Sequence, residues 1–403
     1  MKVLFLSAWF PHPSDNGSKT RVLHLLRHLS AQHQVTFVSF AFGTAMPDET
    51  SQVHRMCHSV HILHLDPIQQ IQMGTLRTFL SLTPNASHSV PEMCKLIESV
   101  TAKESFDAVI ASTMTMSSYA LFVPNTRARI LEEHNSLSRW MHERLLAQTT
   151  SLQKIRCWIS WQKARQFEAQ LYRQFDLVTM VSAEDQHTVS AVLGRDTGRV
   201  ALVPNGVDCQ HNRPGLAQPI PYHLVFNGAL SYVANFNAMR WFLTEVYPTI
   251  QEACPAVTLS ITGSTTGVDL QALPLHPGVQ MTGFVKDIRP IIAGAAACIA
   301  PILEGGGSRL KILEAMALGT PVIATTKGAE GLEVVFGKHL LVTDDPEEFA
   351  QYTLALLYEP ALRQRLTTQA RHLVEEHYDW AEIGGYFVTC VEQAVRQAGV
   401  VAT

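Results

Sequence analysis

Short apolar runs, rich in valine, isoleucine and leucine, alternate with segments of helical period along the whole chain, and this alternation restricts the fold more than any other feature. A strand apolar at nearly every position needs cover on both faces, which helices packed on either side of a parallel sheet provide. In the first half the runs are residues 3–7, 35–40, 60–65, 108–112, 129–132, 177–181 and 200–203. Six more follow, in "YHLVFNGAL", "VTLSITG", "VQMTGF", "ACIAPIL", "PVIAT" and "HLLVTD". The pattern predicts an α/β chain with two similar doubly wound halves.

Between the first two runs Val22, Leu25, Leu26 and Leu29 recur at i, i+3, i+4 and i+7, so one face of a helix packs on the sheet. After "VPNGVD", where Asn205 and Gly206 read as a turn with Gly206 at positive φ, residues 209–221 carry Pro214, Gly215, Pro219 and Pro221 and read as a linker. A chain of 403 residues, 46% hydrophobic, is more than one core accommodates, so residues 1–208 and 222–378 are expected to form separate domains, followed by a helical segment 379–403. Asp345 before Pro346, Glu347 and Glu348 has the form of a helix start rather than a metal site.

The net charge of −4, without a run of Lys or Arg, argues against a nucleic-acid partner. Seven cysteines lack C-x-x-C spacing, which fits reduced thiols in a cytoplasmic protein. His54, His58, His61 and His64 have no cysteine or paired carboxylate to complete a metal site. The opening "MKVLFLSAWFPHPSDNG" reads as a first buried strand and not a leader, and no stretch approaches the ~20 apolar residues of a membrane span.

The stretch "EGGGSRLKILEAMALGTPVIATTKGAEGL", residues 304–332, concentrates the chemistry. Glycines directly after a strand, opening a helix, let backbone N–H groups converge on a phosphate with no Cβ in the way. Gly305, Gly306, Gly307 and Ser308 fit that role, although the spacing is that of neither a P-loop nor a dinucleotide fingerprint. Arg309 and Lys311 oppose the helix dipole unless an anion compensates them, and Glu314 could accept two ribose hydroxyls. The same residues are equally consistent with a surface i, i+3 pair behind a glycine turn.

These residues resemble the donor-binding signature of retaining glycosyltransferases of family 4, which have the GT-B fold. "FPHPSDNGSKTRVLHLLRHLSAQHQVTFVSF", "FDLVTMVS" with "VPNGVD", and "VFNGALSYVANFNAMRWF" agree in the same order. The resemblance implies two Rossmann-like domains facing each other across a cleft, the first on the acceptor side, the second holding a nucleotide sugar, and a C-terminal helix that crosses back to the first. It implies transfer of a hexose-type sugar to a glycan or lipid-linked acceptor in polysaccharide or glycoconjugate biosynthesis. A sugar-nucleotide epimerase of the same fold, or a non-catalytic nucleotide-sugar-binding protein, are the alternatives.

By residue, the resemblance implies catalytic roles for His134, Arg309 and Lys311. It implies donor contacts from Gly228, Phe284, Val285, Glu304, Gly306, Gly307, Ser308, Leu310 and Glu314, and an acceptor side of Gly17, Ser18, Lys19 and Arg21. Read from the residues alone, His134 is as well a packing or capping histidine. Two departures stand out: Gly306 occupies the place of the family's first glutamate, and "NGALSYVAN" lacks the Arg and Lys that members often carry after the first strand of the second domain. The positive charge is therefore expected from Arg309 and Lys311 instead. With these cations no metal and no cofactor is expected, and if the acceptor attacks on the leaving-group side the diphosphate takes its proton.

Residues 139–173 hold seven Arg and Lys against two Glu, with Trp140, Trp158 and Trp161 interleaved. The segment is a candidate peripheral contact with the inner face of a membrane, or a helix packed on the first domain.

Overall fold

The computed structural model describes residues 1–14, 16–42, 52–67, 89–305 and 309–401. They form two compact units: unit 1 is Met1–Pro204 with Ile383–Thr403, and unit 2 is Asn205–Glu382.

Unit 1 is built on β1 (Lys2–Ser7), β2 (Gln34–Ala41), β3 (Ser59–His64), β4 (Ala108–Ser112), β5 (Ala128–Glu132), β6 (Leu177–Met180) and β7 (Val200–Leu202). They lie in the order β3-β2-β1-β4-β5-β6-β7, all pairs parallel. The central strands are buried along nearly their full length, as runs without polar alternation require. β1 takes up the apolar opening of the chain.

The helix Gly17–Gln32 follows β1 and buries Val22, Leu25, Leu26 and Leu29 completely, the face that the sequence period selects. Asn16 caps it, its side chain accepting from Lys19 N at 3.0 Å, and Gly17 is the first helical residue rather than a separate turn. The last helix, Trp380–Val401, meets this one at Gly384: a Cβ there would lie 2.2 Å from the His28 ring, so only glycine permits the approach.

Unit 2 repeats the plan with β8 (His223–Asn227), β9 (Thr258–Thr262), β10 (Val279–Gly283), β11 (Ala297–Ala300), β12 (Val322–Ala324) and β13 (Leu341–Val342), in the order β10-β9-β8-β11-β12-β13. Each described pairing is parallel. One face of this sheet packs Phe226, Phe242, Tyr247 and Phe349, and the other Ile312, Met316, Val322 and Val374. Asp345 caps the helix Pro346–Tyr358 by accepting from Glu348 N at 2.8 Å, with Pro346 in its first turn. Gly206 does not take the positive φ expected of it.

Both units are Rossmann-like, doubly wound α/β structures of a GT-B chain. In such sheets ligands bind beyond the carboxyl ends of the strands where the order reverses. That point lies between β8 and β11 in unit 2 and between β1 and β4 in unit 1.

Candidate functional site

In unit 2 the reversal point brings together the loop after β8, which starts at Gly228, and the helix Leu310–Ala317, which follows β11 in the chain. That helix buries Ile312, Leu313, Ala315, Met316 and Ala317 against the sheet. Lys311 and Glu314 lie three residues apart along it and are both half-buried.

Each of the two meets an asparagine. Lys311 Nζ donates to Asn235 Oδ1 at 2.8 Å and sits over the Phe226 ring, 4.3 Å from its centre. Glu314 Oε2 accepts from Asn227 Nδ2 at 2.7 Å. Among the described residues they form no ion pair with each other, so the surface-pair reading does not describe them. Burial pushes the Lys311 ammonium down to about 7, with Arg309 acting in the same direction. Burial pushes the Glu314 carboxyl up to about 7, against the Asn227 hydrogen bond and Lys311. A diphosphate beside Lys311 would restore its charge.

The loop after β8 is shaped around this lysine. A Cβ at Gly228 would stand 2.9 Å from Lys311 Nζ and 2.8 Å from Asn235 Nδ2, so glycine is needed there. Asn235 Nδ2 in turn donates to Ala229 O at 2.9 Å. The ammonium thus lies against the segment whose own sequence carries no cation.

Arg309 is engaged by backbone carbonyls on both sides of its position. It is buried, its Nε and Nη2 donate to Lys327 O at 3.1 and 2.9 Å, and Nη2 also donates to Gly305 O at 2.8 Å. With Glu330 3.7 Å away, it braces the glycine loop onto the short helix Thr326–Ala329. Glu304 is exposed, and its Oε1 accepts from Asn237 Nδ2. Gly305 has φ +90°, and a Cβ on it would lie 2.9 Å from Tyr232 Oη. Gly306, Gly307 and Ser308 lie outside the described residues.

Leu310 starts the helix and packs on the sheet-facing core. Phe284 and Val285 follow β10 at the same carboxyl edge of the sheet, Phe284 being 73% exposed. Asn227, Tyr232, Asn235 and Asn237 were missed by sequence reasoning. Their signal was the recurrence of asparagine within "VFNGALSYVANFN", which has no meaning until the fold places Lys311 opposite.

In unit 1 the centre is Glu132, the last residue of β5 and fully buried. Its Oε1 accepts from Arg21 Nε, and its Oε2 accepts from Ser112 Oγ at 2.7 Å and meets His134 Nε2 at 3.2 Å. Burial disfavours the charge, but His134 and Arg21 outweigh it and hold this carboxyl well below the usual carboxylate range. The carboxylate only accepts, so His134 Nε2 carries a proton toward it, and Nδ1 faces Ser18 Oγ at 3.1 Å.

Arg21 lies on the helix Gly17–Gln32, one turn in from its start. It is fully buried, and its Nη1 donates to Pro204 O at 2.9 Å. Gly17, Ser18 and Lys19 form the first turn above it, Lys19 half-buried. Glu133, missed in the sequence, is buried next to this centre and accepts from Met114 N at 3.2 Å and Tyr172 Oη at 3.4 Å. Consecutive glutamates at the end of a buried strand were its signal, since unpaired carboxylates are rarely buried.

Two family models match the chain: "Glycosyltransferase Family 4" over residues 15–211 and "Glycosyl transferases group 1" over residues 221–359. An uncharacterised 44.6 kDa protein of the cps region of Klebsiella pneumoniae is 19% identical over 393 residues, covering 94% of this chain and 96% of that protein. Among solved structures, sucrose-phosphate synthase from Thermosynechococcus elongatus superposes with a TM-score of 0.69 at 18% identity, covering 100% of both chains. Anabaena HepE, solved with UDP and glucose, gives 0.68 at 15% identity, covering 98% of this chain and 100% of that one. At these identities the superpositions establish the fold alone. The two models between them cover both units and take in His134 in one and Lys311 and Glu314 in the other. The chain belongs to glycosyltransferase family 4.

Proposed function

We propose that this glycosyltransferase moves a hexose from a nucleoside-diphosphate sugar to a hydroxyl of a glycan or lipid-linked acceptor, with retention at the anomeric carbon and without a metal ion. The observation that carries this reading is Lys311, held by Asn235 against Gly228, with Glu314 fixed by Asn227 one helical turn along. A diphosphate meets the ammonium, and the ribose hydroxyls meet the carboxylate. Lys311 supplies the positive charge that a divalent ion would otherwise bring to the leaving group.

Retention follows if the acceptor hydroxyl attacks from the face the diphosphate leaves. The new glycosidic bond forms as the bond to the phosphate oxygen breaks, and the hydroxyl proton passes to that oxygen. The protein then needs to orient the reactants rather than provide a base. HepE was solved with UDP and glucose, which favours a uridine donor here. The test is proton NMR of slow UDP-glucose hydrolysis with water as acceptor. Release of α-glucose first, unaffected by EDTA, supports the reading; β-glucose first, or loss of activity with EDTA, contradicts it.

The helical arm of unit 1 favours a membrane-bound acceptor and a protein working at the inner face of the membrane. Helices Leu137–Leu146 and Ser151–Tyr172 leave Leu152 71%, Ile155 57% and Trp158 51% exposed, near Lys154 and Arg156 in the sequence. Arg144 and Arg165 lie over Trp140 and Trp161 at 5.1 and 5.2 Å. Basic groups with exposed apolar and aromatic ones suit an anionic lipid surface. No described helix is long and apolar enough to cross a membrane. Co-sedimentation with phosphatidylglycerol vesicles but not phosphatidylcholine vesicles, lost in Lys154→Glu/Arg156→Glu, is the expected result; equal sedimentation with both contradicts it.

A further inference from the structure

Ser18, His134 and Glu132 stand in line in unit 1. Ser18 Oγ lies 3.1 Å from His134 Nδ1, and His134 Nε2 lies 3.2 Å from Glu132 Oε2. Nε2 carries a proton toward a carboxylate that only accepts, so in the neutral ring Nδ1 offers its lone pair and the Ser18 hydroxyl donates to it. A hydroxyl within reach of a base, with the base held by a third group, is the arrangement that activates a serine as nucleophile. It is defined by these roles and not by order in the chain.

The surroundings serve the same chemistry. Glu132 Oε1 is held by Arg21 Nε and Oε2 by Ser112 Oγ, so the carboxylate cannot turn away from the ring. Trp9 packs beside the imidazole, 6.0 Å between ring centres. Ser18 is the second residue of the 16-residue helix Gly17–Gln32. At that helix start Lys19 N bonds to the Asn16 side chain and Thr20 N to Asn16 O, while the N–H groups of Gly17 and Ser18 have no intrahelical acceptor. An oxyanion formed on Ser18 would meet these two donors at the positive end of the helix dipole.

Ser18 and His134 also line a cavity of about 320 Å³, with Thr113, Met114, Leu137 and Trp140 among its other walls. That volume is at the lower end of the roughly 300–1,000 Å³ of small-molecule sites, and the apolar walls suit a short acyl chain. Thr113 is 8% exposed, and its Oγ1 has no hydrogen-bond partner among the described residues. Buried polar groups are nearly always satisfied, and a ligand oxygen in the cavity would satisfy this one.

We propose that Ser18, His134 and Glu132 form a hydrolytic triad that cleaves short-chain carboxylic esters, an activity separate from sugar transfer. Ser18 Oγ bonds to the ester carbonyl carbon as its proton passes to His134 Nδ1, and the imidazolium so formed faces the Glu132 carboxylate. The carbon–oxygen bond to the alcohol then breaks, and Nδ1 returns the proton to the leaving oxygen. Water attacks the acyl-serine in the same way, giving its proton to Nδ1, which passes it to Ser18 Oγ as the carboxylic acid leaves. Every group this uses lies in unit 1, so the inference goes beyond the transfer reading and does not rest on it.

The test uses the full-length protein with 4-nitrophenyl acetate and diisopropyl fluorophosphate. Wild type should release nitrophenol saturably, and Ser18→Ala and His134→Gln should each lower the rate about 100-fold or more, the scale of losing a nucleophile or its base. Fluorophosphate should leave a diisopropylphosphoryl group on Ser18 of wild type, located by peptide mass spectrometry. The proposal is overturned if wild type and Ser18→Ala hydrolyse the ester at equal rates, or if Ser18 stays unmodified. The modification is read on wild type, so this outcome stands whether or not either variant folds.

Discussion

Lys311 Nζ and Asn235 Oδ1, 76 positions apart in the chain, are joined by a 2.8 Å hydrogen bond. Asn235 fixes the ammonium beside Gly228, and burial holds that ammonium close to its protonation midpoint near neutral pH, at about 7. The donor site should therefore respond to pH through this lysine and through Glu314.

Diphosphate binds the ammonium form. Lys311 is fully charged only below about 7, so affinity for UDP is retained below that pH and lost as pH rises through it, by up to about tenfold per unit. Glu314, raised to about 7, acts with the opposite sign: as pH falls through 7 it protonates and loses one acceptor site for ribose. UDP affinity should peak near pH 7. Uridine, without phosphate, should lose affinity only on the acid side, and Glu314→Gln should remove that limb. Calorimetry across pH 5.5–9 checks this, and identical profiles for UDP and uridine would rule out separate roles for the two groups.

Gly228→Ala should leave the fold intact but displace Lys311, because the added Cβ falls 2.9 Å from its Nζ. A weakening of UDP binding by tenfold or more with little change in Tm is expected. A Tm drop without a change in affinity would mean that the contact serves packing alone.

Glu132 and Arg21 form a fully buried ion pair. Removing one partner leaves the other charge uncompensated at a cost of about 3–5 kcal/mol. Arg21→Met and Glu132→Leu should thus each destabilise unit 1 strongly, whereas the two together should cost less than the sum of the single changes. Urea denaturation of the four proteins reads the difference. The depressed Glu132 carboxyl also ties stability to pH: the contribution is present above the ordinary glutamate range and is lost as pH falls through the lowered value.

All thirteen apolar runs became strands because a parallel sheet covered on both faces leaves its pattern in each strand separately. Helix ends were legible for the same reason: Asp345 and Pro346 act within one turn. Lys311 and Glu314 were legible as a pair because both stand on one helix, three residues apart. The contacts of Arg309 were not legible because its partners are backbone carbonyls of Gly305 and Lys327, which have no sequence signature. The burial of Arg21 was not legible because its counter-charge, Glu132, lies 111 positions away.

Titration of UDP into wild type and Lys311→Ala at pH 7 tests the central claim most directly. The site described here predicts saturable binding to wild type and a loss of at least 100-fold in the variant, roughly the scale of removing a charge-assisted contact to phosphate, with Tm unchanged or raised by removal of a buried amine. Equal binding to both proteins would contradict the assignment of the diphosphate to Lys311.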